Sequence, residues 1–185
     1  MEPSTDVLPP SSPTPDLAAR LARVRVPLGF VAGVALLWLA QPTWRSIAAG
    51  LAVALAGEAV RVWAVGHLEK GREVTKSGPY RFTGHPLYLG STIIGVGAAI
   101  AANSVAVAVL TGSYLVVTLG AAIRSEEAGL RAKFGREYVE YRQGRVVDAE
   151  RRFSLARAIR NREYRAVVGL AVTMILLALK TWLLL

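Results

Sequence analysis

The chain has 185 residues, of which 53% are hydrophobic, and 22 Lys+Arg against 13 Asp+Glu give it a formal net charge of +9. This length suits one domain, and apolar blocks separated by basic stretches indicate a membrane protein rather than a nucleic-acid-binding module. With no cysteine and two histidines, a disulfide framework and a thiolate nucleophile are excluded, and no metal site is expected.

The first 19 residues are expected to form a disordered tail. Residues 1–16 contain five of the nine prolines and no aromatic residue, so they cannot bury enough apolar surface to offset the entropy lost on ordering. Residues 20–185 are expected to form a single domain with its core over residues 44–147.

Five apolar stretches predict an all-α, polytopic membrane helix bundle of about five transmembrane helices. The second contains Glu58 and Arg61, which are three positions apart and can neutralise each other inside the bundle, and a structural ion pair between helices is the alternative. The third and fourth are separated by little more than Asn103, which predicts a helical hairpin. The fifth contains Lys180, whose long side chain is expected to snorkel to the interface. The predicted spans are residues 26–40, 44–68, 86–102, 104–123 and 166–185.

Residues 124–145 are rich in charge and carry an apolar stripe. Leu130, Phe134, Tyr138 and Tyr141 recur at spacings of four, four and three. This spacing predicts an amphipathic cytosolic helix that lies on the membrane surface or against the bundle.

Basic residues cluster at one side of this layout. They precede the first span, follow the second, and follow the fourth, where eight arginines lie between Arg142 and Arg165. By the positive-inside rule these clusters are cytoplasmic. The expected location is a bacterial inner membrane, with the N-terminus and the polar loops in the cytoplasm.

The stretch GPYRFTGHPLYLG, residues 78–90, concentrates turn-forming and polar residues just before the third span. Pro86 suits the first position of a helix and biases His85 away from helical geometry. The unpaired N–H groups of this first turn suit a carboxylate or another anion. His85 and Tyr88 can face one ligand there, and an interfacial cap with an aromatic belt explains them equally well.

Two further features bear on a ligand site. Gly95 and Gly97 allow close approach by a neighbouring helix or by a ligand. Glu126 and Glu127 follow the fourth span, where they form either a solvated pair or part of a polar pocket.

A resemblance to a known family rests on two segments in order, VRVWAVGHLEKGREVTKSGPYRFTGHPLYLG and RSEEAGLRAKFGREYVEYRQGRV. They resemble the isoprenylcysteine carboxyl methyltransferase and phospholipid N-methyltransferase superfamily of membrane enzymes. The resemblance covers roughly residues 55–147 and depends on GPYR, HPLYLG, the paired glutamates and FGxxYxxY. It departs at Gly84, where many relatives carry arginine or asparagine.

The resemblance implies a membrane methyltransferase that binds S-adenosyl-L-methionine at the cytosolic face and methylates a lipid or lipophilic small molecule. The acceptor is a carboxylate or an amine. Glu127 is the candidate base for an amine, and Arg81 or Arg124 would position a carboxylate. The cofactor-binding positions that it implies are Tyr80, His85, Leu87, Tyr88, Gly95, Gly97 and Glu126.

A competing hypothesis is a non-catalytic membrane protein. Its arginine-rich segment, residues 142–165, would bind anionic lipid or a partner.

Overall fold

A computed structural model of the chain describes residue 29, residues 31–144 and residues 151–184, and all regular structure in these ranges is helical. The predicted all-α bundle is therefore confirmed, while the predicted tail, residues 1–19, lies outside the described residues. The helices are α1 (residues 31–39), α2 (Trp44–Val65), α3 (Pro86–Ala102), α4 (Val105–Arg142), α5 (Leu155–Arg160) and α6 (Tyr164–Leu183), with a 3-10 turn at Gly78–Arg81 between α2 and α3.

Three helices of the described chain, α2, α4 and α6, are long and apolar enough to cross a membrane. α3 has only 17 residues, which rise about 25 Å at roughly 1.5 Å per residue, less than a hydrocarbon core of about 30 Å. The described part of the first predicted span, α1, is shorter still. The described residues thus form an integral membrane helix bundle with three long helices and shorter apolar ones, and residues 26–28 and 30 of the first predicted span lie outside them.

The contact between α2 and α3 is built on small residues seven positions apart on each helix. A Cβ atom added to Gly57 would lie 2.7 Å from the carbonyl oxygen of Gly90, and one added to Gly97 would lie 2.6 Å from that of Gly50. Such glycines let two backbones approach closely, and in a bilayer this close packing drives helix association.

The predicted hairpin between α3 and α4 is confirmed. α3 ends at Asn103, which adopts a left-handed conformation with φ 49, and the side chain of Ser104 caps α4 by accepting a hydrogen bond from the Val107 N–H. The Asn103 side-chain amide donates to the Gln41 carbonyl oxygen at 3.1 Å. The hairpin turn is thereby joined to the loop between α1 and α2.

Lys180 has a different role from the predicted snorkelling. Its ammonium group donates to the carbonyl oxygens of Leu37, Trp38 and Ala40 at 2.7, 3.0 and 2.8 Å. The last carbonyls of a helix have no partner within that helix. Lys180 of α6 therefore caps the end of α1.

The amphipathic segment continues α4 beyond its apolar part and packs against the bundle. The helix is broken at Gly135, whose φ of 46 and ψ of −117 are accessible to glycine without strain. Beyond the break Tyr138 is only 2% exposed, and Lys76 contacts Glu137 at 2.7 Å. These contacts place the segment against the protein, which is one of the two predicted placements.

The loop after α2 lies on the same side of the bundle as the segment after α4. Glu69 accepts a hydrogen bond from Arg157 at 2.8 Å, Arg151 pairs with Glu73 at 2.5 Å, and the Asn161 side chain donates to the Leu68 carbonyl oxygen at 3.0 Å. The hydrogen bond from Arg157 lowers the pKa of Glu69. The predicted grouping of these polar segments at one end is confirmed.

Candidate active site

The predicted helix start at residues 85 and 86 is confirmed. α3 begins at Pro86, and His85 precedes it in a non-helical conformation with φ −136 and ψ 55. The N–H groups of Tyr88 and Leu89 both donate to the His85 carbonyl oxygen at 3.1 Å. These hydrogen bonds occupy N–H groups at the start of α3, so fewer of them are free to bind the predicted anion.

His85 and Glu127 meet across α3 and α4. The Nε2 atom of His85 lies 3.2 Å from Oε1 of Glu127, and the ring of Tyr88 lies 5.7 Å from that of His85. Since the ionised carboxylate only accepts hydrogen bonds, Nε2 is the donor and Nδ1 of a neutral imidazole is an acceptor. That Nδ1 atom is buried without a hydrogen-bond partner among the described residues, so it is available to a ligand donor.

Glu127 is surrounded by positive charge. Arg142 lies 3.3 Å from its Oε1 atom and Arg131 lies 3.6 Å from its Oε2 atom. The hydrogen bond from His85 lowers the pKa of Glu127, and Arg142 and Arg131 add to that effect against the opposing effect of burial. A carboxylate stabilised in its ionised form is a weaker proton acceptor. This environment favours an electrostatic role for Glu127 over the predicted role of base.

Gly84 makes room for Arg142. A Cβ atom added to Gly84 would lie 2.8 Å from the Nη1 atom of Arg142, so the guanidinium group lies directly against the backbone of residue 84. Arg142, from the end of α4, therefore occupies space that a side chain at position 84 would need. Sequence reasoning missed this contact because nothing local relates residues 84 and 142.

Tyr80 anchors the 3-10 turn beneath this cluster. Its ring is buried, and its carbonyl oxygen accepts a hydrogen bond from the Tyr141 hydroxyl at 2.7 Å. Burial, followed by the negative charge of Glu126, raises the pKa of the Tyr80 hydroxyl well above its usual range. Tyr80 is therefore neutral and can donate a hydrogen bond, and Glu126, which is exposed, lies within its electrostatic reach.

The remaining predicted residues near the cluster lie at its edge. Arg81 ends the 3-10 turn and is exposed, and Arg124 is exposed on α4 one turn before Glu127. Leu87 is half-buried, and its carbonyl oxygen accepts a hydrogen bond from Ser91 at 2.9 Å.

Gly95 and Gly97 lie away from the His85–Glu127 cluster. They follow Pro86 by nine and eleven residues, which is roughly 14 and 17 Å along the helix axis. A Cβ atom on Gly95 would lie 2.6 Å from Leu115 of α4, and Gly97 faces α2. Gly95 also lines a groove of ≈ 580 Å³ between α3 and α4. Both glycines make helix contacts, and a role for them in cofactor binding remains a prediction.

A second polar cluster lies inside the bundle, where the predicted pair of Glu58 with Arg61 is present as a long contact and Arg61 makes a closer ion pair with another helix. Arg61 donates to Glu163 at the start of α6 through Nε at 2.7 Å and Nη2 at 3.1 Å, and to Ser91 of α3 at 2.5 Å. Its Nε atom is 4.0 Å from Glu58. Sequence spacing found the neighbour within α2 and could not reveal the partner 102 residues away.

Comparison with known proteins identifies one family. A sequence model described as phospholipid methyltransferase matches residues 28–137, more than half of the chain, and this range includes the His85–Glu127 pair. No curated protein and no solved structure is significantly similar to the chain.

Proposed function

The chain belongs to the phospholipid methyltransferase family, and from this membership we propose that it transfers a methyl group from S-adenosyl-L-methionine to a lipid or lipophilic small molecule. The observation that carries the proposal is the family match over residues 28–137. We place the site at the His85–Glu127 cluster, on the cytoplasmic side of a bacterial inner membrane, because the basic loops lie at that end.

The residues of the cluster suit the cofactor chemically. S-adenosyl-L-methionine carries a sulfonium, an ammonium and a carboxylate group. The Tyr88 ring and the Glu126 carboxylate can attract the cationic groups. The unpartnered Nδ1 atom of His85 can accept a hydrogen bond from the ammonium group or a ribose hydroxyl, and Arg142 can bind the carboxylate.

When bound, the cofactor supplies an electrophilic methyl group, and the protein's task is alignment and charge stabilisation. Glu127 holds His85 in one tautomer and orientation through their contact at 3.2 Å. Arg81 and Arg124, both exposed, can orient an anionic acceptor such as a phosphate or carboxylate group. An amine acceptor must lose a proton, for which Glu127 is a weak base because its pKa is lowered by His85.

The described contacts give less support to the competing hypothesis of a non-catalytic binder of anionic lipid. Arg151, Arg157 and Arg160 of its arginine-rich segment pair with Glu73 or Glu69. These arginines hold the loop after α2, so fewer cations of this segment are open to a lipid headgroup.

The test is methyl transfer by the purified protein in lipid nanodiscs. Methyl-labelled S-adenosyl-L-methionine is incubated with a membrane lipid extract, and the organic phase is analysed by mass spectrometry for labelled product. Glu127→Gln should lower kcat/KM by roughly tenfold or more, since charged hydrogen bonds are lost. The matched control is Glu140→Gln on the same helix, where Glu140 pairs with the exposed Arg136 at 2.8 Å, away from the His85–Glu127 cluster. Absence of both labelled product and cofactor binding would refute the proposed function.

A further inference from the structure

Glu58 is a buried carboxylate that accepts no hydrogen bond from any described residue. It is 6% exposed, and both of its oxygen atoms are buried without a hydrogen-bond partner in the described part of the chain. Buried polar groups nearly always have partners, and ionisable groups within membrane helices mark functional sites. The proposed reaction at His85 and Glu127 leaves Glu58 without a role.

The nearest cation is committed to another partner. Arg61 directs Nε and Nη2 to the two carboxylate oxygens of Glu163 and Nη1 to Ser91, while its separation from Glu58 is 4.0 Å. One guanidinium group therefore faces two buried carboxylates. With both carboxylates ionised, the cluster carries one uncompensated negative charge, and burial makes such a charge costly.

We propose that Glu58 is a binding residue for an organic ammonium group carried by a ligand. An ammonium group supplies the missing charge and can donate to both carboxylate oxygens. A metal ion is a poorer fit, since no group of three or more metal-ligating side chains occurs among the described residues.

The Glu58 cluster adjoins the candidate active site. Ser91, which Arg61 contacts at 2.5 Å, follows Pro86 by five residues, or about 8 Å along α3. Tyr80 is within electrostatic reach of both clusters, since the negative charges of Glu126 and of Glu163 both contribute to its raised pKa. Under the proposed function, on which this inference rests, two ligands bring an ammonium group to this region: the cofactor, through its amino-acid part, and an acceptor lipid with an amine headgroup.

The experiment measures ligand binding by full-length protein in nanodiscs, with Glu58→Gln as the variant. The probes are S-adenosyl-L-methionine, its analogue without the α-amino group, and nanodiscs containing phosphatidylethanolamine or phosphatidylglycerol. Loss of about tenfold or more in cofactor affinity, with the amino-free analogue binding both proteins equally, identifies the cofactor ammonium as the partner. Unchanged cofactor binding with weakened retention of phosphatidylethanolamine, but not of phosphatidylglycerol, identifies the acceptor amine.

A second variant acts on the cluster without altering Glu58. Glu163→Gln removes the charge that binds Arg61. Arg61 can then pair with Glu58 and compete with the ligand ammonium group, so the affinity for that ligand should also fall. Glu137→Gln, which removes the exposed pair with Lys76, is the control.

If Glu58→Gln binds every probe as tightly as the unchanged protein, Glu58 is a protonated structural group and the inference is wrong. A protein that binds no S-adenosyl-L-methionine refutes the proposed function instead, and the two lipid probes still test Glu58.

Discussion

The two polar clusters of the protein have opposite charge balances. At the end of the bundle, one carboxylate, Glu127, meets His85, Arg131 and Arg142. Inside the bundle, two carboxylates, Glu58 and Glu163, share Arg61. The side chains of Arg131 and Arg142 are 63% and 45% exposed, whereas that of Glu163 is 8% exposed.

This difference shows that a buried charge needs an opposite charge beside it more than an exposed one does. Water and salt screen an excess of cations at the surface, so the outer cluster can hold two guanidinium groups beside one carboxylate at little cost. The inner cluster has no such screening, so each of its charges affects stability strongly. A missing positive charge there must be supplied by a ligand or by a proton.

Removing the shared arginine should have the largest effect. Arg61→Met leaves both Glu58 and Glu163 without a cation and should lower the free energy of unfolding by about 3–5 kcal/mol. Arg131→Met, its control in the outer cluster, removes an exposed pair and should cost at most about 1 kcal/mol. Thermal unfolding in detergent compares the two, and equal melting temperatures would contradict the contrast between the clusters.

A matched pair of glycine substitutions sharpens the comparison. A Cβ atom on Gly90 would lie 2.5 Å from Cγ of Arg61 and 2.7 Å from the Gly57 carbonyl oxygen, whereas one on Gly84 would meet the flexible tip of Arg142 at 2.8 Å. Gly90→Ala should lower the free energy of unfolding by about 1–3 kcal/mol through overpacking. Gly84→Ala should change it by less than about 0.5 kcal/mol. A larger shift in melting temperature for Gly84→Ala would show that the outer arginine is as tightly constrained as the inner one.

The smallest expected effect is a pH dependence at Glu127. Because His85 holds its pKa below the usual range, the stability that this carboxylate contributes is present above the unfolded-chain pKa of about 4.3. It is lost as the pH falls through the folded pKa, and partial exposure limits it to about 1 kcal/mol or less. Melting curves of the unchanged protein and of Glu127→Gln should therefore converge as the pH drops below about 4.3. Parallel curves over that range would show that Glu127 is not stabilised by its neighbours.

Much of the fold follows from patterns along the chain. Apolar stretches locate the helices, Pro86 sets the start of α3, and Asn103 marks the hairpin, because these depend on local geometry and on transfer to lipid. The hydropathy of residues 86–102 does not reveal that this helix of 17 residues is packed tightly against α2, because packing joins residues that are distant in the chain. The role of Lys180 was missed for a similar reason: its acceptors belong to α1.

The candidate site likewise has features that the sequence predicted and contacts that only the structure shows. Sequence spacing placed His85 next to Tyr88 and linked Glu126 to Glu127, and the contact between His85 and Glu127 at 3.2 Å agrees with the predicted polar pocket. Sequence spacing could not place Arg142 against Gly84, because the two residues are far apart in the chain and meet only in the folded protein. Gly95 and Gly97 are seen at helix contacts, where a motif alone does not distinguish packing from binding.

The sequence by itself determined that this is a helical membrane protein of a methyltransferase family, because composition, apolar length and a motif are properties of consecutive residues. Only the tertiary structure decided which charges meet. Arg61 lies closer to Glu163 than to Glu58, and Arg142 contacts Glu127. The energy of such charges depends on their distances in three dimensions and on the local dielectric. Both decisions join residues that are far apart in the chain.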